Sequence, residues 1–536
     1  MPSPDWRGQI IYFAMTDRFD DGDPANNDQG AGEYDPRDER KYSGGDLAGL
    51  RRRLDYIEGL GATALWITPP VANQWWDPQA GFSGYHGYWA ENFVEVDAHL
   101  GTLDDVRRLS RALHARGMHL VQDIVVNHTG NFFGWPDRFD AAKPWRHVRR
   151  NRASRPHAAP TQAPFDRNDV RDVADRAASI YHWTPAIRDF ADTRQLFDWQ
   201  LADLDDLDTE SPVVQAALRD SYAFWIREAG VDAFRVDTAF YVPPGFFDDF
   251  LHGTDARSPG ILAAARTTGR SEFLAFGEGF GIDRAFDDTE ARRIETYARS
   301  PDGRPRLGGM LNFPLYGSTL EVFARGRAPA VLADRITRMM AVHADPWRMP
   351  SFIDNHDVDR FLAGGSEAAL RQALLMIMTL PGIPVIYYGT EQGFTAQRAS
   401  MFAGGYGSGG RDRFDTAAPL YRTTASMAAL RKAHRVFTHG TPRVLDAEPA
   451  SAGVLAYTLH DGAETALVAF NTAEHASLLA IDSGLAPGTR LQALYAIDGK
   501  APARVVAADG RLVLPLAARA GMAWIAAAPA RDAADV

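Results

Sequence analysis

Along the chain, short apolar runs alternate with longer segments whose apolar residues recur at helical spacing. Residues 9–14 and 64–68 read as buried strands. Between them, residues 50–60 (LRRRLDYIEGL) place their apolar side chains on one helical face and end at Gly61, a helix-stopping residue. Residues 103–116 predict a helix with arginines on its polar face, and residues 118–127 (MHLVQDIVVN) the strand that follows it. Residues 231–237, 273–278, 351–354 and 383–388 repeat the strand pattern. Strands separated by helices predict a parallel sheet with crossover helices. About eight such units predict an α/β fold closed into a (β/α)8 TIM barrel rather than an open doubly wound sheet.

Two stretches depart from this rhythm. Residues 129–207 are polar and aromatic, too long for a plain loop, and predict a subdomain inserted after the third strand. Their basic run at 145–155 (WRHVRRNRASR) reads as solvated surface. Late in the chain, residues 454–459, 465–471 and 511–514 sit between Gly, Asp and Pro turns and predict a C-terminal β-sandwich. The expected division is a barrel of residues 1–128 and 208–438, an inserted subdomain of 129–207, and a sandwich of 439–536. The glycine-rich segment 403–410 (AGGYGSGG) reads as a flexible loop.

Composition narrows the partners. With 45% hydrophobic and 24% charged residues, the 536-residue chain is ordinary folded protein and not a disordered one. No apolar run approaches the roughly 18 residues a spanning helix needs, so no membrane partner is expected. A net charge of −12 argues against nucleic acid, which demands a basic face. The absence of cysteine removes disulfides, thiolate nucleophiles and zinc–thiolate sites. Residues 1–6 (MPSPDW) lack the basic and apolar regions of a secretion signal. Nothing in the sequence bears on oligomeric state.

In a barrel of this kind, chemistry gathers at the carboxyl ends of the strands. The third strand ends with Asp123, Asn127 and His128, the fourth with Arg235 and Asp237, the fifth with Glu278, and the seventh with Asp354, His356 and Asp357. One carboxylate at such a tip would be a helix cap or an ion pair. Four tips bearing carboxylates, with an arginine and two histidines, are not explained by capping.

These segments carry a resemblance. The sequence resembles the α-amylase superfamily of retaining α-glycoside hydrolases and transglycosylases, glycoside hydrolase family 13. The matching segments are DIVVNH (123–128), FRVD (234–237), FGE (276–278) and FIDNHD (352–357), in the family's order, with YHGYW (85–89) and LADL (201–204) besides. The resemblance runs from about residue 8 to the C-terminus and implies the same barrel, insertion and sandwich. It also implies an α-glucan or α-gluco-oligosaccharide substrate. Cleaving a glycosidic bond means protonating a poor leaving group and stabilising an oxocarbenium-like centre. Two carboxyls roughly 5–5.5 Å apart do both, through a covalent glycosyl-enzyme.

The resemblance implies Asp237 as the nucleophile, Glu278 as the acid/base and Asp357 as the carboxylate that holds sugar hydroxyls. Arg235 stands two residues before Asp237, on the same side of the strand, and would keep it ionised and oriented. His128 and His356 are implied to hydrogen-bond the same sugar and Tyr88 to stack on it. His86 and Trp89 share the Tyr88 segment and are expected sugar contacts too, Trp89 reading equally well as core. Asp123 is expected to support the site by holding neighbouring strands. The same site would serve a transglycosylase, and a third reading is an inactive carbohydrate-binding barrel, against which the presence of all three carboxylates stands.

Near the N-terminus, Asp21, Asp23, Asn26 and Asn27, then Gly44 and Asp46, set closely spaced side-chain oxygens in a Gly/Pro turn. The spacing suits either an Asx-rich turn or Ca2+, a hard cation taking six to eight oxygens. The segment resembles a calcium loop of cyclodextrin glucanotransferases, which implies these side chains and the Gly44 carbonyl as ligands. Such a loop points to a periplasmic or secreted protein. Asn127 and Asp203 match ligands of a second family calcium, but Tyr241 stands where relatives carry His, so that site is not carried over. The histidines show no close-spaced ligand motif, so a metal-dependent hydrolase is not expected. Relatives follow the nucleophile segment with Lys-His where this chain has Phe240-Tyr241, which implies more apolar leaving-side subsites. Gly279, small where relatives are bulky, is expected to open the pocket to a branched or cyclic acceptor.

Overall fold

A computed structural model describes residues 1–499, 504–506 and 511–526. Eight strands, β1 (Ile11–Ala14), β2 (Ala64–Ile67), β3 (His119–Val125), β4 (Ala233–Asp237), β5 (Leu274–Gly277), β6 (Gly309–Met310), β7 (Pro350–Ser351) and β8 (Ile383–Tyr387), form one parallel sheet. Their order is β6-β5-β4-β3-β2-β1-β8-β7. The two ends of that order are consecutive in the chain. Asn312, just past β6, donates its backbone N–H to the Pro350 carbonyl of β7 at 2.9 Å and closes the sheet into the (β/α)8 barrel. The strands are buried along their whole length, as a parallel sheet covered by helices requires.

The helix expected at 103–116 spans Leu103–His114 and begins with a reciprocal capping box between Thr102 and Asp105. The helix expected at 50–60 is two helices, Leu47–Arg52 and Leu54–Gly59. Arg53 leaves helical dihedrals (φ −101°, ψ 13°), and its guanidinium turns to Asp20 at 2.8 Å while standing 4.0 Å over the Phe414 ring.

Between β3 and β4 the chain makes its long excursion and returns beside its starting point. His128 and Asp206 pair as an isolated bridge. Thr129 N–H donates to Asp205 O and Leu207 N–H to Asn127 O, both at 3.0 Å. The tip of β3 is thereby tied to the residues that end the excursion.

After the barrel come β9 (Thr441–Ala447), β10 (Val454–His460), β11 (Thr465–Asn471), β12 (Ser477–Asp482), β13 (Arg490–Ala496), β14 (Arg504–Val506), β15 (Arg511–Leu516) and β16 (Gly521–Ala526). Six of them form an antiparallel sheet, and β12 pairs with β15 in a second. Leu467, Ala469 and Trp524 of the larger sheet pack with Leu479, Leu512 and Leu514 of the smaller. The other face of the larger sheet, with Leu455, Tyr457 and Phe470, joins the barrel's own core. This sheet-on-sheet packing is the expected C-terminal sandwich.

Candidate active site

Arg235 is the hub. It lies on β4 with its side chain fully buried, two residues before Asp237, so period-two alternation points both toward the barrel mouth. Its Nη1 donates to Asp237 Oδ1 at 2.7 Å and to Asp123 Oδ1, on β3, at 2.9 Å. Its Nη2 lies 2.9 Å from Oε1 of Glu278, the residue that follows β5. One guanidinium thus gathers carboxylates from three successive strands. Thr238 adopts a left-handed conformation (φ 47°), uncommon for a β-branched residue, and donates its backbone N–H to Glu278 Oε2 at 3.1 Å.

The network continues to the seventh strand. Tyr88 Oη donates to Asp123 Oδ2 at 2.8 Å and lies 2.8 Å from His356 Nε2. With the tyrosine proton committed to Asp123, His356 Nε2 carries the hydrogen and donates to Tyr88. That assignment fits a neutral ring: burial and the Arg235 and Arg398 charges hold the His356 imidazole well below its ordinary pKa. His356 Nε2 is also 3.3 Å from Asp357 Oδ2. Asp123, Arg235, Asp237, Glu278, Tyr88, His356 and Asp357 therefore form one connected set.

The remaining expected residues fall into two groups. His128 and His86 hold Tyr88 in place. His128 Nε2 lies 3.2 Å from the Tyr88 carbonyl, and His86 Nδ1 accepts the Tyr88 backbone N–H at 3.1 Å. Burial lowers the His128 pKa to about 4 and that of His86 well below normal, so both rings are neutral. Trp89 lines a hollow of about 230 Å3 with Asn131 and Phe133, beside the long excursion.

Electrostatically the centre is crowded. Burial, with Glu278, Asp123 and Asp357 nearby, pushes the Asp237 carboxyl well up against the pull of Arg235. Burial likewise takes Asp123 up to about 6 although Arg235 and Tyr88 bond to it. Crowding and burial thus make Asp237 and Asp123 hold their protons more tightly than free carboxyls do.

Arg398 was not anticipated from sequence. Its Nε donates to the His356 carbonyl at 3.0 Å, its Nη1 to Tyr85 Oη at 3.2 Å, and its Nη2 lies 3.5 Å from Asp357 Oδ1. The arginine follows β8 in a segment that ends no strand, and only a lone cation there could have signalled it.

The space expected beside Gly279 is filled. A Cβ at that position would lie 2.4 Å from the Phe240 ring, which is buried beneath Arg293 and tilted against Tyr297. Glycine is required here for close approach and does not open the pocket.

The N-terminal turn brings its oxygens together. Asp21 Oδ1, Asn26 Oδ1 and Asn27 Oδ1 are buried and have no hydrogen-bond partner. Asn27 Nδ2 donates to Asp21 Oδ2 at 2.8 Å. Burial raises the pKa of both Asp21 and Asp46, helped by the nearby Asp20 and Asp23 for Asp21 and by Asp21 for Asp46. Asp46 also caps the Leu47–Arg52 helix through Gly49 N–H at 2.6 Å and takes the Asp23 N–H at 2.7 Å. Asp23 Oδ1 takes the Ala25 N–H at 3.2 Å. Gly44 has φ +103°, and a Cβ there would strike Asn27. Orphaned, all-oxygen groups around two raised carboxylates fit a hard cation.

A second acidic group lies where the excursion rejoins the barrel. His182 Nδ1 meets Asp206 at 2.6 Å, and its Nε2 faces Glu210 at 3.4 Å and Asp208 at 3.7 Å. Burial would lower this histidine's pKa, but the carboxylates raise it to about 10, so it is an imidazolium that neutralises them.

A family model described as alpha amylase, catalytic domain, matches residues 13–267 and 302–417. The chain belongs to the α-amylase family. It is 30% identical over 525 residues to a cyclomaltodextrin glucanotransferase of Klebsiella oxytoca, covering 90% of this chain and 74% of the relative. It is 32% identical over 455 residues to a beta/alpha-amylase of Paenibacillus polymyxa, of which it spans only 32% of the length against 82% of its own. Among solved structures, a three-domain cyclomaltodextrin glucanotransferase superposes with a TM-score of 0.78 at 26% identity, over 96% of this chain and 99% of that one. An Anoxybacillus α-amylase superposes with a TM-score of 0.74 at 26% identity, over 98% and 99%.

Proposed function

We propose that this α-amylase family enzyme is a retaining α-glycoside hydrolase acting on α-glucans or α-gluco-oligosaccharides. The observation that carries the reading is the single Arg235 guanidinium, 2.7 Å from Asp237 and 2.9 Å from Glu278, with Asp357 joined to it through His356, Tyr88 and Asp123. Asp237 attacks the anomeric carbon while Glu278 protonates the leaving oxygen. The glycosyl-enzyme formed on Asp237 then yields to water that Glu278 deprotonates. Arg235 orients Asp237 for attack and pulls its carboxyl toward the ionised form, against burial and the neighbouring carboxylates. Asp357, the most exposed of the three, takes sugar hydroxyls, with His356 beside it. A solved relative at 25% identity, a Geobacillus thermoleovorans α-amylase, is described as a complex with acarbose, which supports a carbohydrate ligand for this fold.

Ca2+ in the N-terminal turn is part of the same proposal. Asp21, Asn26 and Asn27 would hold it through their free oxygens, with Asp23, Asp46 and the Gly44 carbonyl completing the set. Bound there, the cation supplies positive charge to the carboxylates. A transferase reading is favoured by one observation: the leaving side presents Tyr241 with the exposed Phe190 ring 6.5 Å away, an apolar surface suited to a sugar acceptor.

The test is product analysis on maltodextrin with and without excess maltose, with the anomer followed by NMR. Release of α-anomeric products supports retention, and longer products with added maltose support transfer. An inverted product, or no turnover of any α-glucoside, overturns the proposal.

A further inference from the structure

Where the excursion rejoins the barrel, two stretches of chain run side by side. Tyr181 and Leu207 pair as an isolated bridge. His182 N–H donates to the Asp206 carbonyl at 3.2 Å, and Asp208 N–H to the Ile180 carbonyl at 2.9 Å. This backbone pairing sets the His182 ring beside the carboxylates of Asp206, Asp208 and Glu210. Ligand atoms of His182, Asp208 and Glu210 all lie within 4.8 Å of one another.

The two ring nitrogens meet different surroundings. Nδ1 is 2.6 Å from Asp206 Oδ2, a short hydrogen bond. Nε2 is 3.4 Å from Glu210 Oε2 and 3.7 Å from Asp208 Oδ1. Both distances exceed the roughly 2.7–2.9 Å of a charge-assisted hydrogen bond. A tetrahedral ion with bonds of about 2.0–2.2 Å sets its ligand atoms about 3.3–3.6 Å apart. The two oxygens thus stand close to the spacing of a shared coordination shell. Each is held there by a neighbour: Asp208 Oδ1 takes the Ser211 N–H at 3.0 Å, and Glu210 Oε2 the Thr209 hydroxyl at 3.3 Å.

Asp206 supplies a second observation. Its side chain is 2% exposed and turned into the group, with Oδ2 on His182 and Oδ1 buried without a hydrogen-bond partner. A carboxylate on the far nitrogen of an imidazole fixes the ring and tautomer that aim the other nitrogen at a metal ion. Three carboxylates around one imidazole also give the charge a dication requires. One ring nitrogen with carboxylate oxygens suits zinc, whereas calcium takes six to eight oxygens. The Glu210 side chain is 53% exposed, so water reaches the outer side as a fourth ligand.

We propose that His182 Nε2, Asp208 and Glu210 bind Zn2+, with Asp206 orienting the histidine, and that the ion fastens the excursion to the segment entering the Pro212–Phe224 helix. On binding, zinc takes the place of the proton on Nε2, which passes to solvent. None of these residues belongs to the Arg235 network, so the proposal does not depend on what that network turns over.

The test titrates Zn2+ into the EDTA-treated full chain by calorimetry, in excess Ca2+ so that the Asp21 turn is supplied. We expect one ion per chain and a raised Tm at saturation, because the ion binds the native state. His182→Gln and Glu210→Gln should each weaken binding at least about tenfold, and Asp206→Asn about ten- to hundredfold. Glu210 lies at the surface, so Glu210→Gln decides the question even where a buried variant does not fold. No Zn2+ binding in the presence of Ca2+, or an affinity unchanged in Glu210→Gln, overturns the proposal.

Discussion

The Phe240 ring occupies the volume that a side chain at residue 279 would need, with its Cε1 2.4 Å from where a Cβ would stand. The residue after the acid/base position and the residue three past the nucleophile position are thus one packing unit. Gly279→Ala should cost about 1–3 kcal/mol by overpacking, read as a lower Tm. Phe240→Leu should recover most of that loss in the double variant, because the clash is with the ring edge. Additive losses in the double-mutant cycle would contradict the coupling.

Removing either carboxylate to which the proposal gives a reacting role should stop turnover without unfolding the chain. Asp237→Asn and Glu278→Gln keep the size of the side chain and lose its charge or proton. We expect kcat to fall at least about a thousandfold with Tm within a few degrees of wild type. Activity near wild type in either variant would show that the roles are misassigned.

Tyr88 links the Asp123 side of the network to His356. Tyr88→Phe removes the hydroxyl that joins them and leaves the ring in place. Two lost hydrogen bonds, each of about 0.5–1.5 kcal/mol, predict a roughly five- to hundredfold drop in kcat/KM. An unchanged value would mean that the hydroxyl does not position His356.

His99 ties the N-terminal segment to the barrel. Its Nδ1 meets Asp97 at 2.7 Å and its Nε2 meets Glu33 at 3.1 Å, with Tyr42 stacked 3.8 Å away. Burial alone would lower its pKa, but the two carboxylates raise it from 6.5 to about 9. A raised folded pKa stabilises fully below the unfolded value, and the contribution is lost as pH climbs from about 6.5 through about 9. Tm should therefore decline between pH 7 and 10, and His99→Gln should flatten that decline. An equal slope in the variant would assign the decline to other groups.

Calcium in the Asp21 turn would stabilise the native state that binds it. EDTA should lower Tm by several degrees, and added Ca2+ should restore it. In Asp21→Asn both responses should vanish. A melting curve indifferent to EDTA and Ca2+ would remove calcium from this turn.

Much of the barrel was readable because its physics is local. A parallel strand covered by helices must be a short apolar run, and 64–68, 118–127 and 231–237 announce themselves that way. The sixth strand does not. It is only Gly309 and Met310, and glycine is there because a Cβ would lie 2.4 Å from the Arg348 carbonyl. Such an approach leaves no periodic trace. The break at Arg53 was hidden for a similar reason, since the Asp20 carboxylate its side chain meets lies 33 positions back in the chain.

By itself the sequence determined the strand tips: which carboxylates, which arginine and which histidines stand at the mouth, because alternation along a strand assigns each side chain a face. Tertiary structure alone decided how those tips meet. That Arg235 reaches three carboxylates, that Arg398 comes round to Asp357, and that Phe240 fills the place beside Gly279 depend on the barrel closing. Closure joins β6 to β7, and the finished barrel sets Asp123 against Arg235, 112 positions on, and Tyr88 against His356, 268 positions on; no local pattern of polar and apolar residues encodes those distances.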